Sequence, residues 1–330
     1  MNLENGHTTH PDAQWYPEAE LGLFIHWGIS SVHGNVDISW GMRNEYRFSP
    51  EIIHPEEYFA LAKDFNPQNY HPAKWANAAA KAGFRYMVLT TRHHDGFAMW
   101  PSRFGDFNTK NYMNGRDLVG EYVEACRAAG LKVGLYYSPP DWWTIKDYMS
   151  FGWNYGGNVG KPIPQVIQDY VRSIIRGQLT ELLTRYGKID LLWFDGDGLS
   201  YMSREEIYDL QPHIVIGRDS HSVKENYGTD IKSTECEFPS EEYYEQHLKG
   251  CWLECCHEWN NCWGYTKDEE YRPASKIMEW FKEIRKYNGN LLINVAPRAN
   301  GELPEIVYKR LEEFGKLLKE YRNNNSEAKS

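Results

Sequence analysis

The chain is poor in positive charge. It has 36 Lys and Arg against 46 Asp and Glu, a formal net charge of −10 over 330 residues. Binding to a phosphate backbone calls for a basic stripe, so a nucleic-acid partner is not expected. Long apolar runs are also missing. None approaches the ~20 residues that span a bilayer, so no membrane partner is expected. The opening stretch, MNLENGHTTHPDAQWYPEAE, has neither a basic n-region nor an apolar h-region. No secretory signal is read there, and a cytoplasmic protein is expected. No G-x-G-x-x-G follows the first apolar run, and no G-x-x-x-x-G-K-[ST] occurs anywhere. The dinucleotide and P-loop readings thereby lose their usual support, and no cofactor is expected. Cysteines are few, six in all, and five of them fall between Cys236 and Cys262. The spacing of Cys251, Cys255, Cys256 and Cys262 matches no common zinc pattern, and no paired histidines follow at finger spacing. Free thiols in a reducing compartment are expected instead. Nothing in the sequence speaks to oligomeric state.

Aromatic residues are plentiful: 15% of the chain, with 13 Trp and 23 Tyr. Such rings fill cores, and they also pack against the apolar faces of sugars. Short apolar runs alternate with amphipathic stretches along the whole chain. Strands are predicted at Leu21–Trp27, Tyr86–Thr90, Lys132–Tyr137, Ile189–Trp193, Ile214–Ile216 and Leu291–Val295. Helices are predicted at Pro55–Phe65, Pro72–Ala82, Arg116–Ala129, Ile167–Tyr186, Arg204–Leu210, Ser275–Asn288 and Glu305–Tyr321. Between Lys224 and Trp259 the pattern is too weak to assign. Alternating strands and helices give a parallel sheet with helical crossovers. Polar residues follow several different strands: His26, His93 with His94, Asp195 and Arg218. A closed barrel gathers such residues on one rim, so the expected fold is α/β, a (β/α)8 TIM-like barrel. It forms one domain over residues 1–330, with flexible tails at 1–14 and 322–330.

The stretch KIDLLWFDGDG, residues 188–198, places carboxylates where a buried strand meets a loop. Neutral imidazoles and aromatic rings suit a ligand made of hydroxyls with one apolar face. Cleavage of a glycosidic bond needs two carboxyl groups, one as nucleophile or base and one as acid. Asp195 fits the first role. For the second, Glu235, Glu237, Glu254 and Glu258 all remain open on physical grounds. His93 and His94, followed by Asp95, also raise a metal site, but neighbours on an extended strand point to opposite faces.

Six blocks carry a resemblance over most of the chain: LGLFIHWGISSVHG (21–34), YMVLTTRHHDGFAMWPS (86–102), GLKVGLYYSPPDWW (130–143), IDLLWFDG (189–196), CWGY (262–265) and GNLLINVAPRANGEL (289–303). The sequence resembles glycoside hydrolase family 29, the retaining α-L-fucosidases, whose catalytic domain is a (β/α)8-like barrel. The resemblance implies an exo-acting hydrolase of terminal α-L-fucosyl linkages on glycans or glycosides. It implies Asp195 as nucleophile and Glu235, in STECEFP, as acid/base, with Glu237 and Glu254 as second and third candidates. It implies sugar contacts from His26, His93, His94, Tyr136 or Tyr137, Trp193, Arg218 and Trp263. The double displacement it implies needs no metal.

Two departures stand out. Many members have Glu-Trp in the loop after the first strand; here Ile38-Ser39-Trp40 stands there, so Trp40 survives and the Glu is missing, with Glu45 as a nearby substitute. This leaves a fucose-like sugar such as an α-L-galactoside as an alternative substrate. Many members also carry a C-terminal β-sandwich, and this chain is expected to be a barrel alone. Two other classes stay in view: a non-catalytic sugar-binding barrel, and a metal-dependent hydrolase using the histidines.

Overall fold

Along each strand, side chains alternate between two destinations, and this alternation organises the molecule. Phe24, Tyr86, Val88, Tyr136, Leu191, Trp193, Val215, Ile231, Trp252, Cys256 and Leu292 share one interior cluster. Their strand neighbours Leu23, Ile25, Met87, Leu89, Leu135, Tyr137, Leu192, Phe194, Ile216, Cys255 and Ile293 belong to a second, larger cluster with the helices. A strand buried on both faces reads as a continuous apolar run, which is how most of these strands look in sequence. The structure is a computed structural model that describes residues 6–153, 155–218 and 228–327, with side chains through residue 325.

Eight strands run β1 (Leu21–Ile25), β2 (Tyr86–Arg92), β3 (Lys132–Tyr137), β4 (Leu191–Phe194), β5 (Val215–Gly217), β6 (Ile231–Glu235), β7 (Trp252–Glu258) and β8 (Asn290–Val295). Neighbours pair in parallel in the order β5-β4-β3-β2-β1-β8-β7-β6. Representative Cα partners are Gly22 with Tyr86, Tyr136 with Trp193, Glu235 with Cys256, and Phe24 with Asn294. The circle is nearly closed. Among the described residues no ladder joins β5 to β6. The lower ends are stitched by the Asp230 N–H donating to Ile216 O at 2.8 Å and the Ile216 N–H donating to the Asp230 carboxylate at 2.6 Å. The fold is thus the expected (β/α)8 barrel.

The main crossover helices are α1 (Pro72–Ala82), α2 (Leu118–Ala128), α3 (Gln165–Arg185), α4 (Arg204–Leu210), α5 (Ala274–Arg285) and α6 (Glu305–Glu327). Helix α1 starts on Pro72, whose missing N–H costs nothing there, and stops at Gly83 with φ 97°. It buries Trp75, Ala76, Ala79 and Ala82. Burial of a side chain like Trp75 is worth about 2–3 kcal/mol. Of the segments expected as tails, residues 7–14 cross the bottom of the barrel: the Thr8 N–H donates to Asp230 Oδ1 at 2.6 Å and His7 stacks on Trp252 at 4.5 Å. The closing helix runs on to Glu327.

Strands β6 and β7 fall in the stretch the sequence pattern left unassigned. Their interior positions carry Ser233, Glu235, Glu254 and Cys256 rather than an apolar run. Polar residues at inward positions hide a strand from any hydrophobic-period reading.

Candidate active site

A cavity of about 330 Å³ opens at the C-terminal ends of the strands. It is lined by Phe24, His26, Ile38, Trp40, Tyr46, His93, Tyr136, Trp193, Asp195, Arg218, Glu235, Cys256 and Trp263. This is the face where the loops after the strands converge. Of the sequence-predicted residues, His26, Trp40, His93, Tyr136, Trp193, Asp195, Arg218, Glu235 and Trp263 all reach it.

Asp195 follows Phe194, which points outward at the end of β4, so its own side chain turns inward. It is 8% exposed. The Tyr136 hydroxyl donates to Asp195 Oδ2 at 2.7 Å. The Nε2 atoms of His94 and His93 lie 3.5 and 3.9 Å from the same oxygen. Arg218 Nη2 lies 3.8 Å from Asp195 Oδ1 and 2.6 Å from Glu235 Oε2. One guanidinium nitrogen therefore sits between the two carboxylates. Its charge is held firmly, with its pKa driven up by Glu235 and Asp195 against the opposing effect of burial. The guanidinium also covers the Trp193 ring, 5.1 Å from its centre, and Trp193 stacks on Tyr136.

Each histidine is aimed by a partner outside the cavity lining. The Asn294 side chain is fixed twice: its Nδ2 donates to Trp263 O at 2.9 Å, and its Oδ1 accepts the His26 N–H at 3.2 Å. The same Oδ1 lies 2.7 Å from His26 Nδ1, so Nδ1 must carry the proton and Nε2 is the acceptor. Burial lowers the His26 pKa to about 4, so the ring is neutral near pH 7. His93 Nδ1 shares a hydrogen bond with Ser39 Oγ at 2.6 Å. Burial and the neighbouring His94 keep its pKa well below the usual histidine value. His94 Nδ1 is bonded to Ser138 Oγ, and it reaches Asp195 without lining the cavity itself. His93, His94 and Asp195 each offer an atom within 4.8 Å of the others, a spacing a small cation could bridge.

Five more of the residues considered from the sequence lie outside the cavity lining. Tyr137 does not touch the cavity. It is the outward neighbour of Tyr136, and its hydroxyl donates to Gln178 of α3 at 2.9 Å. Glu237 lies beyond the end of β6, exposed and outside the lining. Glu254 is wholly buried inside the barrel. It accepts hydrogen bonds from Tyr16 Oη at 2.7 Å, Tyr86 Oη at 2.9 Å, Trp193 Nε1 at 2.8 Å and Ser233 Oγ at 3.4 Å. It holds the Trp193 ring of the cavity lining from inside the barrel, and burial raises its pKa against those donors. The Tyr86 ring reaches it only because Gly22 opposite lacks a Cβ, which would sit 2.2 Å from that ring. Glu45, the proposed substitute, is exposed beside Gly152. Glu258, the remaining acid considered, is also outside the lining.

Other residues around the cavity escaped the sequence reading. Asp37 is 2% exposed and ties two loops together. Its Oδ1 accepts from the Trp263 N–H at 2.9 Å, the Gly264 N–H at 3.1 Å and Cys262 Sγ at 3.2 Å, and its Oδ2 accepts from Tyr46 Oη at 3.2 Å. Burial raises its pKa to about 6 despite these donors. Ile38 lines the cavity with φ 44°, a conformation a β-branched residue rarely adopts. Only the two-sided burial of the loop could have revealed these, and a sequence does not display it.

The family model for alpha-L-fucosidase matches residues 3–323. Tissue alpha-L-fucosidase from Homo sapiens is 30% identical over 335 residues, covering 94% of this chain and 68% of that protein. Its counterpart from Rattus norvegicus is 29% identical, covering 94% of this chain and 69% of that protein. Among solved structures, alpha-L-fucosidase isoenzyme 1 from Paenibacillus thiaminolyticus is similar with a TM-score of 0.78 at 34% identity, over 94% of this chain and 75% of that one. Unliganded alpha-L-fucosidase AlfC from Lactobacillus casei has a TM-score of 0.74 at 25% identity, over 95% of this chain and 100% of that one. A barrel with a carboxylate at the end of its fourth strand, matched over nearly its whole length by this family, leaves one assignment: the chain belongs to the alpha-L-fucosidases of glycoside hydrolase family 29.

Proposed function

We propose that the enzyme releases terminal α-L-fucose from fucosylated glycans or glycosides by an exo-acting double displacement with retention. The observation that carries this reading is Arg218 Nη2, set 3.8 Å from Asp195 and 2.6 Å from Glu235. Those two oxygens can be no farther apart than the sum of the two distances. That sum accommodates the retaining spacing of ~5–5.5 Å between the two carboxyl groups.

In this reading Asp195 attacks the anomeric carbon. Tyr136 holds one of its oxygens and leaves the carboxylate fixed. Glu235, whose side chain is 39% exposed, faces the mouth where the aglycone departs, and it protonates the leaving oxygen. Water deprotonated by Glu235 then releases the sugar. His26 accepts a hydrogen bond from a sugar hydroxyl through Nε2. His93 stands beside it, and His94 backs the nucleophile. The sugar's methyl group packs against Phe24, Ile38 and Trp263. A galactoside would bring a hydroxyl to that largely apolar wall, where burial without a partner is costly, so fucose is preferred. The carboxylate pair weighs against a non-catalytic barrel. Six free thiols support a reducing compartment, and with it a cytoplasmic location.

The test is hydrolysis of p-nitrophenyl α-L-fucoside and its α-L-galactoside analogue. Asp195→Gly should lose activity by about a thousandfold or more. Azide should restore turnover to Glu235→Ala. Full activity in Asp195→Gly, azide rescue of a Glu237 or Glu258 variant instead, or a product of inverted configuration would each overturn the mechanism. Faster cleavage of the galactoside would overturn the sugar assignment alone.

A further inference from the structure

At the rim, beside the ends of β6 and β7, lies a second cluster that hydrolysis does not use. Cys236 follows β6, and His257 and Glu258 end β7. None of the three lines the cavity. Cys236 Sγ is 3.1 Å from Glu258 Oε2, and His257 Nδ1 is 2.9 Å from the same oxygen. All three atoms lie within 4.8 Å of one another.

Three features go beyond proximity. His257 Nδ1 is buried and makes no directed hydrogen bond among the described residues, although a carboxylate oxygen is close. The ring is held in place by stacking on Trp280 of α5, 3.7 Å between centres and 16° from parallel. Cys236 adopts φ 56°, outside the usual range for a residue with a Cβ, at the strand end where its thiol turns back to Glu258. Strain of this kind persists where the surroundings impose it. His257 and Glu258 are adjacent, which on a regular strand would separate them, but at the end of β7 their atoms meet.

The geometry points to a zinc-binding site formed by Cys236 Sγ, His257 Nδ1 and Glu258 Oε2. One sulfur, one nitrogen and one oxygen favour a borderline-soft cation over magnesium or calcium. Zinc takes these atoms at roughly 2.3, 2.0 and 2.1 Å in a tetrahedron. The atoms would then stand a few tenths of an ångström farther apart than the present 2.9 and 3.1 Å. Three protein ligands leave one position for water. On binding, the Cys236 S–H bond breaks, a sulfur–zinc bond forms, and one proton is released to solvent.

The probe is Co²⁺ added to metal-free protein, with Zn²⁺ as competitor. Thiolate-to-cobalt charge transfer absorbs in the near ultraviolet only if sulfur is a ligand. The expected result is one Co²⁺ per chain with that band, displaced by Zn²⁺. The band should vanish in Cys236→Ser. Affinity should fall at least tenfold in His257→Gln and in Glu258→Gln, and stay unchanged in Asp195→Asn. Thermal melts identify any variant that fails to fold, and the remaining ones then decide. The proposal is overturned if no sulfur band forms, if Cys236→Ser keeps it through another thiol, or if binding is lost only in Asp195→Asn. That last outcome would place the cation among His93, His94 and Asp195 instead. This site does not depend on the hydrolytic reading, and loss of fucosidase activity would not count against it.

Discussion

Asn294 determines which nitrogen of His26 faces the cavity. Its amide is oriented by Trp263 O and by the His26 N–H, and the oxygen left facing the ring lies 2.7 Å from Nδ1. Asn294→Asp replaces that amide with a carboxylate, which favours the imidazolium and raises the pKa from about 4. The doubly protonated ring can no longer accept a hydroxyl proton. The acid limb of kcat/KM should move upward by a pH unit or more. Asn294→Leu should lower kcat/KM by about 10–100-fold without moving that limb. A pH–rate profile of both variants decides this.

His26 also couples the fold to pH. An unfolded histidine titrates near 6.5, and the folded one at about 4. Between these values the unfolded chain binds more protons, so stability falls as pH drops from about 6.5 to about 4 and this group adds no further loss below that. The full effect is about 3 kcal/mol. His93, shifted the same way by burial, adds to it. Urea midpoints at pH 7 and pH 4.5 should differ less in His26→Asn than in the parent.

Asp37 binds the Tyr46 and Trp263 loops into one wall. Asp37→Ala leaves the N–H groups of Trp263 and Gly264 without that acceptor. KM for the aryl fucoside should rise about tenfold, with kcat reduced less, because the wall positions the sugar and leaves the carboxylates in place. An equal fall in kcat and kcat/KM would show that Asp37 acts on the transition state instead.

Glu254 is structural in this arrangement. Glu254→Leu strands two tyrosine hydroxyls and the Trp193 N–H in the barrel interior. The expected loss is about 3–5 kcal/mol of stability, measured by denaturant unfolding. Azide should not raise its turnover. Azide rescue would reinstate Glu254 as the acid.

The His93, His94 and Asp195 trio tests the metal-dependent alternative. Dialysis against EDTA should leave the fucosidase rate within about 20% of its starting value, because attack by a carboxylate needs no Lewis acid. A tenfold loss restored by a divalent cation would support metal-dependent hydrolysis.

What the sequence disclosed followed from burial on both faces of a strand. β1 through β4 are continuous apolar runs, so their ends, and with them His26, His93 and Asp195, could be located. β6 and β7 could not, because Ser233, Glu235, Glu254 and Cys256 occupy inward positions. Tyr136 and Tyr137 were indistinguishable by chemistry. The alternation that separates them needed a fixed inward neighbour, supplied by the pairing of Tyr136 with Trp193. Asp37 and Asn294 act on residues remote in sequence, and neither sits in a chemically suggestive motif. The rim cluster was missed because its cysteine lies outside the Cys251–Cys262 group and its partners come from a neighbouring strand.

The seam between β5 and β6 has a mechanical meaning. Everywhere else around the circle, widening the mouth would mean breaking a ladder of backbone hydrogen bonds. Here the lower end is pinned by Asp230, while the upper end is spanned by Arg218 reaching Glu235. Among the described residues, this one wall of the barrel is therefore held by side chains, Arg218 and Asp230, where the rest of the circle is held by backbone ladders.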